Sequence, residues 1–141
     1  MGRILFLVKI LVVFVVLFLG GKSLKAGGEH NVSDFAWSEN IGWISHNSQD
    51  TGSPVNYGVN IEDDYSIKGY GWTENFGWIQ YNPSPPYPVY EGAPDFSARV
   101  NPCTGLVSGW AKIISLGDNG WIRLRNSSLG YGVVIDLGTK K

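Results

Sequence analysis

Two acidic residues, Glu39 and Glu74, occupy the same place in the closely similar turns "SEN" and "TEN". Two carboxyl groups held within about 10 Å of each other are what glycoside hydrolysis requires. A Ser or Thr, a Glu and an Asn at a turn also form hydrogen bonds with the backbone of their own hairpin. Because the third related turn has Gly117 and Asp118 at this place, we favour the structural interpretation over a catalytic one.

The chain has few groups that could hold a metal ion. Glu62, Asp63 and Asp64 offer oxygen ligands to Ca²⁺, but they lack the interleaved spacing and the glycine of a calcium-binding loop. His30 and His46 stand far apart in the sequence, without the second pair of ligands that a zinc site needs. We therefore expect no metal site.

Motifs that mark enzymes and cofactor sites are not found. The sequence contains no nucleophile elbow, no P-loop and no dinucleotide fingerprint. We expect no catalytic residues and no cofactor, and we do not expect the chain to be an enzyme. The lone cysteine, Cys103, cannot form an internal disulfide, so it is either a free thiol in a turn or a link to another molecule.

Residues 1–26 have the order of an export segment. Arg3 and Lys9 precede an apolar run of 10 residues from Ile10 to Leu19, and small residues follow up to Ala26. The run is shorter than the roughly 20 residues of a membrane-spanning helix. The segment is either a signal peptide cleaved near Ala26 or an uncleaved N-terminal membrane anchor. Either interpretation makes the protein secreted or attached to the cell envelope, with residues 27–141 outside the cytoplasm.

The exported part is acidic and rich in aromatic residues. Without residues 1–26 the chain has 7 basic and 12 acidic residues, so its net charge falls from −1 to −5. An acidic domain without a basic cluster is a poor nucleic-acid binder, and we expect no nucleic-acid partner. All six Trp and all seven Tyr lie in this part, which makes its aromatic surface the main candidate for binding.

Three types of short segment recur along the exported part, each with the alternation of a strand. The first type is "YGVNI" (57–61), "FSARV" (96–100) and "YGVVI" (131–135). The second type is "DFAW" (34–37), "IKGYGW" (67–72) and "VSGWAK" (107–112). The third type is "GWISHN" (42–47), "GWIQYN" (77–82) and "GWIRLR" (120–125). We predict an all-β fold, an antiparallel three-unit β-meander repeat over residues 27–141.

The unit boundaries predict a closed arrangement. The exported part begins with second- and third-type strands and ends with an unmatched first-type strand. If that last strand pairs beside Phe35 to Trp37, the N- and C-terminal strands complete one unit and remove the exposed sheet edges. The alternative is that the last strand has no partner. Residues 82–95, with five prolines, form either a stiff connector or a wall beside a binding surface that displays Tyr87 and Tyr90.

Alternation assigns one aliphatic face and one aromatic face to the strands. The predicted core residues of the first type are Tyr57, Val59, Ile61, Phe96, Ala98, Val100, Tyr131, Val133 and Ile135. Those of the third type are Ile44, Ile79, Ile122, Tyr81 and Leu124. The other face carries the tryptophans among polar and charged residues.

Two physical accounts fit the aromatic face. Each Trp can lie over a glycine of a neighbouring strand and stabilise the fold. The rings can also form an amphipathic platform for sugar rings or for another protein. Trp37, Trp72 and Trp110 stand where not every unit has Trp, so we expect these to face a ligand. The full candidate set is Trp37, Trp43, Tyr70, Trp72, Trp78, Trp110 and Trp121.

The pattern "WSENIGWIS", followed by "YGVNI" and "GYGWTENFGWI", resembles a group of uncharacterised secreted Trp-rich repeat proteins of ultrasmall, candidate-phyla bacteria. The resemblance covers residues 34–136 and implies an extracytoplasmic β repeat joined to an export signal or anchor. It carries no known activity. We expect a non-catalytic binding or structural module at the cell envelope, with a glycan or cell-wall polymer as its ligand. The alternative is a protein interaction or surface-assembly module.

Overall fold

A computed structural model describes residues 29–141. The export segment predicted for residues 1–26 lies outside the described residues. Within residues 29–141, no helix has both the length and the apolar character needed to cross a membrane.

The described chain is built from eleven short antiparallel strands. Their bounds are β1 Phe35–Ser38, β2 Gly42–Ser45, β3 Val59–Ile61, β4 Ile67–Thr73, β5 Gly77–Gln80, β6 Arg99–Val100, β7 Leu106–Ser108, β8 Trp110–Ile113, β9 Trp121–Arg123, β10 Arg125–Asn126 and β11 Tyr131–Val134. The helical elements are one turn of helix, α1 Ser48–Thr51, and two 3-10 segments, Ile114–Asn119 and Ser127–Leu129. The predicted all-β, antiparallel fold is therefore confirmed.

The strands form two sheets. The larger sheet has the order β1-β2-β4-β5-β8-β9, with β3 joined to β4, and it curls into a half-barrel. The smaller sheet has the order β10-β11-β7-β6. The three hairpins of the larger sheet, β1-β2, β4-β5 and β8-β9, follow one another in chain order, so the order is meander-like, although β3, β6 and β7 lie off this path. The aliphatic core lies on one side of the larger sheet, and the tryptophans lie on the other side, which we call the outer face.

The three second-type segments share one backbone feature. Asp34, Gly69 and Gly109 occupy equivalent places in the sequence pattern, and all have positive φ, of 77°, 100° and 96°. Their carbonyl groups accept equivalent hydrogen bonds, from His46 N at 3.2 Å, from Tyr81 N at 3.0 Å and from Leu124 N at 3.0 Å.

The left-handed conformation places a steric demand on the second copy. A Cβ at Gly69 would lie 2.2 Å from the carbonyl oxygen of Gly58, so only glycine fits there without displacement of the backbone. In the third copy Gly109 separates β7, in the smaller sheet, from β8, in the larger one.

The aliphatic face forms the core, as the alternation predicts. Ile44, Ile79, Val59, Ala98 and Leu124 are buried and pack in one cluster. Ile61 and Ile122 are partly buried against that cluster. Tyr57 is buried too, but its ring packs on Trp78 of the aromatic face.

Two predictions for the C-terminal strand are wrong. Tyr131 and Val133 are exposed by 45% and 38%, because no element of the described chain covers β11 on that side. Ile135, the third predicted core residue of this strand, does pack against the core cluster. Instead of pairing beside β1, β11 pairs with β7 and β10.

The C-terminal tail still meets the N-terminal segment. The backbone N–H of Ser33 donates to the carbonyl of Lys140 at 3.1 Å. The ammonium of Lys141 lies 3.6 Å from the carboxylate of Asp34. The two ends of the described chain are thus linked by one hydrogen bond and one ion pair rather than by a strand ladder.

Candidate functional site

The outer face of the half-barrel repeats one cross-strand pair in its three hairpins. Trp37 stands opposite Trp43 on β1 and β2. Trp72 stands opposite Trp78 on β4 and β5. Lys112 stands opposite Trp121 on β8 and β9, with its ammonium 4.6 Å from the ring centroid. All the tryptophans predicted for this face lie on it, but their exposure differs strongly.

The first hairpin displays its rings, and we call Phe35, Trp37, Trp43 and Trp72 the open cluster. Trp37 and Trp43 are 60% and 63% exposed, with ring centroids 5.1 Å apart and planes at 61°. Phe35 packs edge-on against Trp43 at 6.4 Å. Exposure of this extent is unusual for adjacent Trp residues, because each could bury a large apolar area.

The open cluster surrounds a surface hollow of about 510 Å³. Its walls are the four aromatic rings, and its polar rim includes Thr51, Glu74 and Asn75. The Asn75 amide donates to the carbonyl of Ile41 at 3.0 Å, which ties the turn after β4 to the turn after β1. The carboxylate of Glu74 is left as a free acceptor at the rim, with no hydrogen-bond or ion-pair partner in the described structure.

A buried hydroxyl network stabilises the floor beside the hollow. Tyr57 donates to the Ser45 hydroxyl at 2.9 Å, and Ser45 donates to the carbonyl of Asn47 at 3.2 Å. The Thr51 hydroxyl lies 3.1 Å from the Tyr57 oxygen. Asn47 caps α1, since its side-chain oxygen accepts from Gln49 N at 3.0 Å. These bonds fix α1, and with it Thr51, at the rim of the hollow.

The second hairpin is partly covered. Trp78 is half-buried between Tyr57, at 5.2 Å, and Trp72, at 4.7 Å. Tyr70 also meets its edge at 6.4 Å. The ring of Trp72 lies over Gly77 of the next strand, with its nearest atom 3.7 Å from where a Cβ would be. Trp72 therefore serves the fold by shielding a glycine and also lines the hollow.

The third hairpin is covered by the proline-rich segment, and we call Trp110, Trp121, Tyr87 and Tyr90 the covered cluster. Tyr87 packs edge-on against Trp121 at 5.9 Å. Tyr90 packs in the same way against Trp110, also at 5.9 Å. The Trp110 ring nitrogen donates to the carbonyl of Pro94 at 2.8 Å. Residues 82–95 are thus docked along the outer face rather than extended into solvent.

Trp110 is the one candidate residue that the structure withdraws from the surface. It lies on the predicted face but is only 3% exposed. The expectation that it faces a ligand fails because Tyr90 and the chain around Pro94 cover the ring. Tyr87 and Tyr90 pack on the tryptophans of this hairpin, and both also line a surface hollow of about 740 Å³.

Of the other chemical candidates, Asp64 has a structural role. The Asp64 carboxylate accepts from the hydroxyl of Ser66 at 2.6 Å and from its backbone N–H at 3.0 Å, which lowers the pKa of Asp64. These bonds close the tip of the hairpin between β3 and β4. Within residues 29–141, no three His, Cys, Asp or Glu side chains are grouped to hold a metal ion. Cys103 is exposed in a turn.

His46 and Tyr81 form a polar pair on the core side of the larger sheet. The Nε2 atom of His46 is 2.8 Å from the Tyr81 hydroxyl, and its Nδ1 atom is 3.2 Å from the carbonyl of Asp34. Loss of hydration lowers the pKa of His46, although the Asp34 carbonyl and the charges of Asp50 and Asp34 oppose this. Burial raises the pKa of the Tyr81 hydroxyl. The pair is therefore neutral near pH 7.

The sequence pattern did not identify Phe35, Thr51 and Asn75 as parts of the surface hollow beside the open cluster. The equivalence of Phe35 with Tyr70 and Trp110 in the second-type strands was the signal that could have identified Phe35. Thr51 and Asn75 carry no such signal, because they reach the hollow from a connector and a turn.

Comparisons with protein-family models, with curated proteins and with solved structures find no match to this chain.

Proposed function

We propose that the protein is a non-catalytic sugar-binding module that works outside the cytoplasm, at the cell envelope, on a glycan or cell-wall polymer. The observation that supports this most directly is the exposed Trp37 and Trp43 pair beside the hollow of about 510 Å³. A sugar ring has apolar C–H faces and polar edges, so it matches a site with aromatic walls and a few hydrogen-bonding groups at the rim.

We assign a role in sugar binding to the groups around the hollow. Trp37 and Trp43 meet at 61°, so a ring that stacks on one indole meets the edge of the other. Glu74 can accept hydrogen bonds from sugar hydroxyls, and Thr51 can do so at the opposite rim. The rigid network under Thr51 keeps that rim in place before binding, which limits the entropy lost on association.

The test is sedimentation of the purified full chain with insoluble cell-wall and polysaccharide preparations, with Trp37→Ala and Trp43→Ala as variants. Both substitutions remove an exposed ring, so we expect at least a tenfold loss of binding with little change in stability. Tyr90→Ala is the matched control, because it removes a half-exposed aromatic ring outside the hollow. Equal losses in all three variants, or binding unchanged in the Trp variants, would contradict the proposal.

A further inference from the structure

The larger sheet ends in two edges. β1 has a hydrogen-bonded neighbour only in β2, and β9 only in β8, within the described residues. An unpaired edge presents a row of backbone N–H and C=O groups to any other strand. Proteins usually blunt such edges with charges, proline or bulges. The sequence of β1 is Phe-Ala-Trp-Ser, which contains none of these.

The larger sheet contains two internal pairings between a third-type strand and a second-type strand. We call the pairing of a third-type strand with the second-type strand of the following unit a unit junction. In the first junction, between β2 and β4, Ser45 stands opposite Trp72. In the second, between β5 and β8, Gln80 stands opposite Lys112. These pairs occupy equivalent positions, so both junctions are antiparallel and have the same register.

The two free edges belong to the strand types that the two internal junctions join. β9 is a third-type strand and β1 is a second-type strand. In the register of the internal junctions, Arg123 stands opposite Trp37 and Ile122 stands opposite Ser38. Five antiparallel pairings separate β1 from β9 along the sheet, so the two edges run in opposite directions, as the junction requires.

An apolar groove of about 780 Å³ lies between these edges, and we call it the seam. Ala36 and Trp37 line one rim, and Ile122 and Val133 line the other. The floor is aliphatic and continues into the core. The exposed apolar residues of β11 therefore belong to the same surface as the two free edges.

The C-terminal tail lies at one end of the seam. Lys140 accepts the hydrogen bond of Ser33, and Lys141 pairs with Asp34, just before β1 begins. The C-terminal tail therefore lies beside the residues that precede β1. β1 and β9 of one chain do not pair with each other, and they line opposite rims of the groove.

We propose that two copies of this chain join seam to seam about a two-fold axis parallel to the strands. Each β9 pairs with β1 of the other copy in the register of the internal junctions. A rotation about that axis preserves strand direction, so both new pairings are antiparallel. The dimer is closed, like most symmetric assemblies, and it covers both edges and both apolar grooves at once. This inference does not rest on sugar binding, although Trp37 belongs both to the open cluster and to the rim of the seam.

The test is a disulfide across the new junction. Trp37→Cys and Arg123→Cys are combined in the full chain with Cys103→Ser, and copies with light and heavy nitrogen are mixed before mild oxidation. The matched control is Gln80→Cys with Lys112→Cys in the same background, since this pair has the equivalent place in an internal junction. The readouts are a non-reducing gel and mass spectrometry of the linked peptides.

We expect covalent dimers of mixed label, joined by two bonds between residues 37 and 123, while the control gives an internal bond in a monomer. A ladder of longer species would overturn the two-fold arrangement. A monomer with an internal 37–123 bond, or no bond while the control forms one, would overturn pairing between copies.

Ser38→Cys with Ile122→Cys provides a second pair if the first variant does not fold. Sedimentation velocity of the unsubstituted full chain adds a test without any substitution. A reversible monomer–dimer equilibrium supports the proposal. A monomer at every concentration, with sugar binding intact, would overturn it without affecting the proposed function.

Discussion

The first and third hairpins have the same strand positions but opposite environments. Phe35 and Trp110 are equivalent residues, yet one is 45% exposed and the other 3%. Trp43 and Trp121 are equivalent too, and Trp43 is 63% exposed whereas Trp121 is partly buried. The strands do not cause this difference. The difference comes from the segments that pack over the strands on the outer face.

Each covered tryptophan is covered by the connector of the preceding unit. Tyr57, at the end of the connector that contains α1, packs on Trp78 of the second hairpin. Tyr87 and Tyr90, in the connector of residues 82–95, pack on Trp121 and Trp110 of the third. In the described chain no connector of this kind precedes the first hairpin.

The residues before the first hairpin take another course. The N–H of Val32 donates to the carbonyl of Val59 at 3.0 Å, which places this segment beside β3. Asn31 bonds both backbone groups of Ile61 through its side chain. The open cluster therefore has no cover, and the comparison teaches that the connectors decide which aromatic residues serve the fold and which remain available to a ligand.

The largest expected effect separates the two clusters by stability. Trp110→Ala should lower the free energy of unfolding by about 3–5 kcal/mol, because it leaves a large cavity and an unpaired Pro94 carbonyl. Urea denaturation measures the loss. Trp110→Phe is the milder companion variant, which keeps an aromatic ring but loses the hydrogen bond and part of the buried ring volume. A loss below about 1 kcal/mol for the Ala variant would mean that Trp110 is not a core residue.

A second experiment would convert the covered cluster into an open one. Replacement of residues 84–91 by a short Gly-Ser linker removes Tyr87 and Tyr90. Each aromatic pair contributes about 0.5–1.5 kcal/mol, so we expect a loss of about 1–3 kcal/mol and a red shift of the Trp emission. A new binding site for soluble sugar fragments should appear beside Trp121. Val89→Ala, at a 96% exposed position of the same segment, should change none of these.

A smaller effect concerns pH and the first unit. The His46 pKa is lowered by burial, so below pH 6.5 the unfolded chain binds the proton more readily than the folded one. Stability should be complete above about pH 6.5 and fall as the pH decreases below it toward the folded pKa.

Equilibrium unfolding between pH 7.5 and 5 measures this dependence. In the third unit the position of His46 is occupied by Leu124, so we use His46→Leu as the variant. It should reduce the pH dependence of the free energy of unfolding, whereas the control His30→Asn should retain most of that dependence. If the pH profile is the same in all three proteins, His46 does not titrate as the geometry requires.

The smallest expected effect is on the stability of the Trp37→Ala variant. Because the ring is 60% exposed, its removal should cost little more than its pairing with Trp43, about 0.5–1.5 kcal/mol of the free energy of unfolding. Measured beside Trp110→Ala, this variant sharpens the contrast between the two hairpins. A cost above about 2 kcal/mol would show that Trp37 serves the fold, as Trp72 does over Gly77.

Much of the fold follows from local pattern. The alternation of Ile44, Ile79 and Ile122 with the tryptophans assigns the two faces, since successive side chains of a strand point to opposite sides. The glycines and the polar turns delimit the hairpins. The pairing of β11 could not be found in this way, because its partners β7 and β10 depend on the break at Gly109 between the two sheets.

The candidate site was only partly visible in the sequence. The order of residues placed Trp37, Trp43, Tyr70, Trp72, Trp78, Trp110 and Trp121 on one face, and the structure agrees. It did not distinguish an open ring from a covered one, because burial depends on contacts between distant segments. Trp110 and Pro94 are 16 residues apart, and their bond exists only when the connector folds back on the sheet.

The sequence by itself determined an antiparallel β protein with an aliphatic core face and an aromatic outer face. The reason is that the alternation of side chains along a strand is a local property, and the same alternation recurs in each hairpin. The tertiary structure alone decided which tryptophans stay exposed, that the half-barrel stays open between β1 and β9, and that β11 joins the smaller sheet. These features depend on how the connectors and the C-terminal tail pack over strands far away in the chain, where no local preference acts.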